Sequence, residues 1–183
     1  QTREECNYFP KNLDELKAKY NEVINVLENS YDGEVNTPDV QRLKGMIREF
    51  EEELVWAYNG VLVNNVHHLH LGFYQDKGIT KGPNMQRDVM PILNQFREIQ
   101  PDIISVTLDP EGSGPDTHYK VLQATAAAVS EWSKEKDLSN VRIYGYRNVW
   151  FKFHPAEANM YVPVSLNALA VLDKSFAASY LSQ

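Results

Sequence analysis

The feature that most constrains the fold of this chain is a short apolar run followed by an acidic loop and then a helix-like segment. The loop contains glycine. The run covers residues 103–108, and the helix-like segment covers residues 119–132. The loop between them, from Asp109 to His118, contains three carboxylates, two glycines and the histidine. A strand that enters a helix through such a loop is typical of α/β proteins, whose ligands and metals usually bind there. The alternative is an ordinary polar turn.

The rest of the chain alternates between helical and strand-like patterns of apolar residues. Helical spacing is found at residues 13–27, 38–58, 86–99 and 166–181. Strand-like patterns are found at residues 61–74, 141–150 and 159–164. This order predicts an α/β fold, a mainly parallel sheet covered by helices. The first forty-odd residues are predicted to form an added helical arm, which places the arm at residues 1–46 and the α/β domain at residues 47–183.

Several helix boundaries are predicted by local signals. Asn12, the Thr37-Pro38 pair and Ser165 have the chemistry of N-caps, and the Asn59-Gly60 pair is a typical helix end. Pro91 lies inside the third helical pattern, so we expect that helix to be kinked there or to begin later.

Composition excludes several classes of function. The net charge of −7 over 183 residues argues against a surface for nucleic acid or anionic membrane. No apolar run approaches the length of a membrane span, and no signal peptide is visible. The single cysteine, Cys6, fits a reducing compartment. We therefore predict a cytoplasmic protein.

His118 is the best candidate metal ligand. A neutral imidazole in the first turn of a helix, beside carboxylates, is suited to a divalent metal such as zinc. Asp116 could bond to the ring of His118 or cap the helix. His68 and His70 would share one face of a strand, although half-buried polar positions on a strand are the more common explanation of such a pair.

Two arginines are candidate ligand-binding residues. Arg147 follows a strand-like segment, where it could clamp a phosphate or carboxylate or simply pair with an acid of the loop. Arg48 lies one helical turn from Glu51, which predicts an ion pair within the helix.

Five segments in chain order resemble those of LmbE/PIG-L-type N-acetylglucosaminyl deacetylases. The similarity is greatest to the deacetylase-like domain that follows a sugar-phosphate deaminase domain in some bacterial glucosamine-6-phosphate deaminases. The resemblance covers residues 47–183, where it rests on the helix from Ile47 to Val61, the segment Val66–Tyr74, the segment Pro101–His118, and the closing segments Tyr144–Trp150 and Glu157–Pro163.

The resemblance implies a Rossmann-like fold and a zinc-dependent removal of an N-acetyl group from an amino sugar. It places His118 at the metal position and Arg48 on the sugar side of the pocket. The family's first strand and its His-Pro-Asp-Asp metal motif are absent, and Pro115 occupies the place of a second histidine, for which Asp116 would substitute. The resemblance thus implies part of a deacetylase that is incomplete in this chain. The alternative is a non-catalytic domain that binds a sugar phosphate or supports an attached deaminase.

Overall fold

The computed structural model describes residues 12–31, 33–74, 82–109, 111–112, 115–147 and 152–182. The described helices are α1 (Leu13–Asn29), α2 (Pro38–Tyr58), α3 (Met90–Ile99), α4 (Asp116–Trp132) and α5 (Leu166–Ser179). The described strands are β1 (Ile103–Thr107) and β2 (Arg142–Tyr146). The chain forms two compact units, residues 1–66 with 164–183 and residues 67–163. The predicted boundary between a helical arm at residues 1–46 and an α/β domain at residues 47–183 stays a prediction. No helix in the described ranges is long and apolar enough to cross a membrane.

The first unit contains α1, α2 and α5, and each begins at the residue that the sequence predicted. The side chains of Asn12, Thr37 and Ser165 accept backbone N–H groups of the first helical turns. These acceptors satisfy N–H groups that have no partner within the helix. The predicted caps are therefore confirmed.

The second unit contains α3, β1, α4 and β2. β1 and β2 are parallel neighbours, with Ile103 opposite Arg142 and Thr107 opposite Tyr146. Since α4 connects the two strands, they form a β-α-β unit. A hydrophobic core joins the helices to β1, and its buried members are Leu71, Phe73, Val89, Ile92, Leu93, Phe96, Ile104, Ala124, Ala128 and Trp132. The α/β prediction, with a parallel sheet, flanking helices and an N-terminal helical region, is confirmed.

Two predicted strands are wrong. Within residues 61–74 the structure has short 3₁₀ turns at Val63–Asn65 and Gly72–Tyr74, and no ladder. His70 has a φ of 50°, which a strand does not accommodate. Leu71 and Phe73 still lie in the core. The alternation of apolar residues therefore reflects burial of these side chains and not pairing with another strand. Residues 159–164 likewise form no strand.

Pro91 determines where the third helix begins. A π-helical turn, Met85–Val89, precedes α3, and Pro91 occupies one of the first positions of α3. Proline is tolerated there because N–H groups of the first helical turn have no partner within the helix. The α-helix itself thus begins at Met90, later than residue 86, while the π-helical turn that leads into it begins at Met85.

Candidate functional site

The carboxyl ends of β1 and β2 bring the acidic loop and Arg147 together. The two strands are parallel, and the N–H group of Leu108 donates to the Tyr146 carbonyl at 2.7 Å just beyond the last strand pair. Asp109 lies two residues after β1 and Arg147 lies one residue after β2. Helix α4 begins at the same edge with Asp116. Pro110, Ser113 and Gly114 of the loop lie outside the described residues.

Arg147 pairs with an acid of the loop, as one of the two sequence interpretations predicted. Its Nη2 donates to both carboxylate oxygens of Glu111, at 2.8 and 3.0 Å. The guanidinium lies 5.1 Å from the ring centre of Phe153. The Arg147 side chain is 15% exposed and that of Glu111 is 58% exposed, so the cation is held in place while the acid lies at the surface. The hydrogen bond from Arg147 lowers the pKa of Glu111.

The guanidinium of Arg147 is only partly used by this pair. Both bonds to Glu111 come from one nitrogen, while Nε is buried and has no hydrogen-bond partner within the described part of the chain. An arginine usually binds an oxoanion through two parallel N–H groups. A buried donor without an acceptor costs about 1–3 kcal/mol, which an oxoanion that reaches Nε would recover.

The first turn of α4 adds charge of both signs to the same edge. Asp116 is the first helical residue and binds the ammonium of Lys120, which is buried one turn later. The backbone N–H of His118 donates to the Pro115 carbonyl at 2.9 Å. Asp116 and His118 therefore share this edge with Arg147, and their predicted catalytic and metal roles stay predictions.

Arg48 lies in the other unit, on α2. The ion pair predicted within that helix is wrong, because Glu51 instead accepts the N–H and hydroxyl groups of Ser182 at 2.8 and 2.7 Å. Glu51 is buried, and this pair ties the segment after α5 to α2. The predicted sugar contact of Arg48 stays a prediction.

The described residues do not fit a zinc ion. Across the described ranges, no three histidine, cysteine, aspartate or glutamate side chains are gathered as a metal site needs. His68 and His70 are not on a strand, so the shared strand face expected of them does not exist. We therefore assign no metal-dependent reaction to these residues. Zinc remains an expectation from the family resemblance.

The sequence interpretation missed a buried carboxylate at Asp88. Its oxygens accept the N–H groups of Gly72 and Asn84 at 2.7 and 2.8 Å, together with the guanidinium of Arg87 at 2.9 Å. Burial alone raises the pKa of Asp88, but the bonds from Arg87, Asn84 and Gly72 outweigh it and hold the pKa below its ordinary value. Its spacing in the sequence could have indicated that Asp88 is buried. Asp88 lies four and eight residues before the core residues Ile92 and Phe96, and residues at these intervals share one side of a helix.

Comparison with known proteins finds one informative similarity. The chain is 34% identical over 155 residues to a protein of Bacteroides thetaiotaomicron named as glucosamine-6-phosphate deaminase-like. The aligned part is 82% of this chain but 23% of the relative, so the chain spans about a quarter of that protein's length. No family model and no solved structure matches the chain. The chain is thus similar to one part of a glucosamine-6-phosphate deaminase-like protein, and that name does not mention a deacetylase.

Proposed function

We propose that this chain is a non-catalytic accessory domain that binds an amino-sugar phosphate in a longer protein of the glucosamine-6-phosphate deaminase type. The observation that carries the proposal is the Nε of Arg147, which is buried at the carboxyl edge of a parallel strand pair and has no hydrogen-bond partner among the described residues. In α/β folds this edge is the usual place for small ligands. The similarity to the Bacteroides protein supports the class of ligand.

The charges at this edge suit a ligand that carries both signs. An amino-sugar phosphate has a phosphate and an ammonium group. In our proposal the phosphate takes Nε and Nη2 of Arg147, because two parallel N–H groups match two phosphate oxygens. The carboxylate of Glu111, released from Arg147, then accepts hydrogen bonds from the ammonium group of the ligand. The exposure of Glu111 lets it exchange partners without opening the core.

Deacetylation is not the function that the described residues favour. That activity depends on a zinc ion, and these residues gather no ligand set for one. Removal of an N-acetyl group therefore remains an expectation from the resemblance. The accessory role needs only the groups present at the strand edge.

Substitution of Arg147 tests the proposal. We expect Arg147→Ala to weaken binding of glucosamine 6-phosphate roughly 100-fold, since two charge-assisted hydrogen bonds of about 1.5 kcal/mol each are lost. Arg147→Lys keeps the positive charge but removes the two parallel N–H groups of the guanidinium. We therefore expect this variant to lose less affinity for glucosamine 6-phosphate than Arg147→Ala does. The measurement is isothermal titration calorimetry with a chelator present, which separates this binding from any metal-dependent process.

Arg97→Ala is the matched control. Arg97 also pairs with an exposed glutamate, Glu135, at 2.9 Å from Nε, but it lies on α3 and not at the strand edge. Its removal should leave the affinity unchanged. The proposal is wrong if Arg147→Ala binds as tightly as the unsubstituted chain, or if both arginine variants lose affinity equally.

A further inference from the structure

Lys120 is a buried cation on helix α4. Only 6% of the residue is exposed, which is rare for a lysine. It lies four and eight residues before Ala124 and Ala128, so it shares the side of α4 that packs in the core with β1. A long side chain on a helix points back toward the start of that helix, and the Lys120 ammonium there binds Asp116, the first residue of α4. The ammonium therefore lies at the carboxyl edge of the strands.

The pair of Lys120 and Asp116 repeats the arrangement of Arg147 and Glu111 at the same edge. The Lys120 side chain is 7% exposed and that of Asp116 is 64% exposed, against 15% for Arg147 and 58% for Glu111. In both pairs a cation held by the fold is neutralised by an acid that solvent reaches. An ion pair with an exposed partner contributes only about 0–1 kcal/mol, so a ligand with more negative charge displaces the acid at small cost.

Lys120 also decides the sign of the charge that is fixed at this edge. In the described part of the chain, the charged groups that are largely buried there are Asp109, Lys120 and Arg147. Asp109 and Arg147 alone carry one charge of each sign, which cancel. With Lys120 the buried groups carry a net positive charge, so the edge attracts an anion once the exposed acids release the two cations.

We infer that Lys120 is a second phosphate-binding residue of this site and makes the site selective for a phosphate ester over a singly charged anion. The inference rests on the function proposed above. Phosphate oxygens replace the Asp116 carboxylate at the ammonium, as they replace Glu111 at Arg147. A phosphate monoester carries about −1.5 to −2 charges at pH 7, whereas a sulfate monoester carries a single negative charge. Two buried cations therefore distinguish the two esters, which have similar shapes.

Calorimetric titration with glucosamine 6-phosphate and glucosamine 6-sulfate, at pH 7 with a chelator present, tests the inference. We expect the unsubstituted chain to prefer the phosphate roughly tenfold, the factor that one further charge-assisted hydrogen bond supplies. Lys120→Met keeps the length of the side chain but removes its charge, so this preference should largely disappear. Lys134→Met is the matched control, because it removes the same charge from an exposed pair with Glu131 at the other end of α4. It should leave the preference unchanged.

Asp116→Asn gives a readout of the opposite sign. It removes the acid that competes for the Lys120 ammonium, so glucosamine 6-phosphate should bind more tightly than it does to the unsubstituted chain. An ion pair with a purely structural role would give unchanged or weaker binding. Because the Asp116 side chain is exposed, this variant decides the question alone if circular dichroism shows that Lys120→Met does not fold.

The outcomes separate this inference from the function proposed above. If Arg147→Ala loses affinity while Lys120→Met keeps the preference for phosphate, the inference is overturned and the proposed function stands. Asp116→Asn that binds no more tightly than the unsubstituted chain also overturns the inference alone. An unsubstituted chain that does not bind glucosamine 6-phosphate overturns both.

Discussion

Replacement of Asp88 with alanine is expected to lower the free energy of unfolding by about 2–4 kcal/mol. The carboxylate is 0% exposed and accepts two backbone N–H groups and the Arg87 guanidinium. Alanine removes all these acceptors at once, and the N–H groups of Gly72 and Asn84 lose the acceptors that the carboxylate provides. The expected loss of unfolding free energy lies below the largest values for buried ion pairs, because Arg87 is partly exposed.

The same carboxylate predicts how stability depends on pH. The pKa of Asp88 is lower in the folded chain than its ordinary value of 3.8. Its contribution is therefore fully present above that value and is lost as the pH falls through the folded pKa. Urea unfolding of the unsubstituted chain and of Asp88→Ala, at pH 7 and in steps below pH 4, measures both effects.

The two stability curves should approach each other in acid, because protonation removes from the unsubstituted chain what alanine has already removed. Glu98→Ala, at an exposed position on the adjoining helix α3, is the control and should change stability by less than about 0.5 kcal/mol. A constant difference between Asp88→Ala and the unsubstituted chain across the acid range would contradict the role assigned to this carboxylate.

Replacement of Trp132 with alanine should cost about 3–5 kcal/mol of unfolding free energy. The side chain is 1% exposed at the end of α4, with its ring centre 5.3 Å from that of Phe96 on α3. Lys136 covers it, with the ammonium 5.3 Å from the ring centre. The truncation leaves a cavity between α3 and α4, which pack against each other.

Chemical denaturation of Trp132→Ala, followed by circular dichroism, measures this cost. Trp132→Phe is the matched variant, since it keeps an aromatic ring against Phe96 and should lose less than half as much stability. An alanine variant within 1 kcal/mol of the unsubstituted chain would show that α3 and α4 do not form the core of this unit.

Features with local causes were predictable from the sequence. The caps at Asn12, Thr37 and Ser165 depend on side chains and N–H groups at most three residues apart. β1 was predictable because a mainly apolar run, residues 103–108, lies between Pro101 and the acidic loop. Its neighbour β2 followed from the alternation of strands and helices.

Features that depend on distant residues were not predictable. Asp88 acquires its role from Gly72, sixteen residues earlier, and Glu51 from Ser182, 131 residues later. The segment at residues 61–74 has strand composition, but a strand also needs a neighbouring strand, which composition does not supply. For the candidate site, the sequence offered two partners for Arg147, and only the structure shows that Glu111 engages one nitrogen and leaves Nε buried.

Titration of the chain with glucosamine 6-phosphate, glucose 6-phosphate and glucosamine, with a chelator present, tests the central claim most directly. The proposed site needs both the phosphate, for Arg147, and the ammonium, for Glu111. The account predicts that glucosamine 6-phosphate binds at least tenfold more tightly than either of the other two. Equal affinity for glucose 6-phosphate, or no binding of glucosamine 6-phosphate, would contradict it.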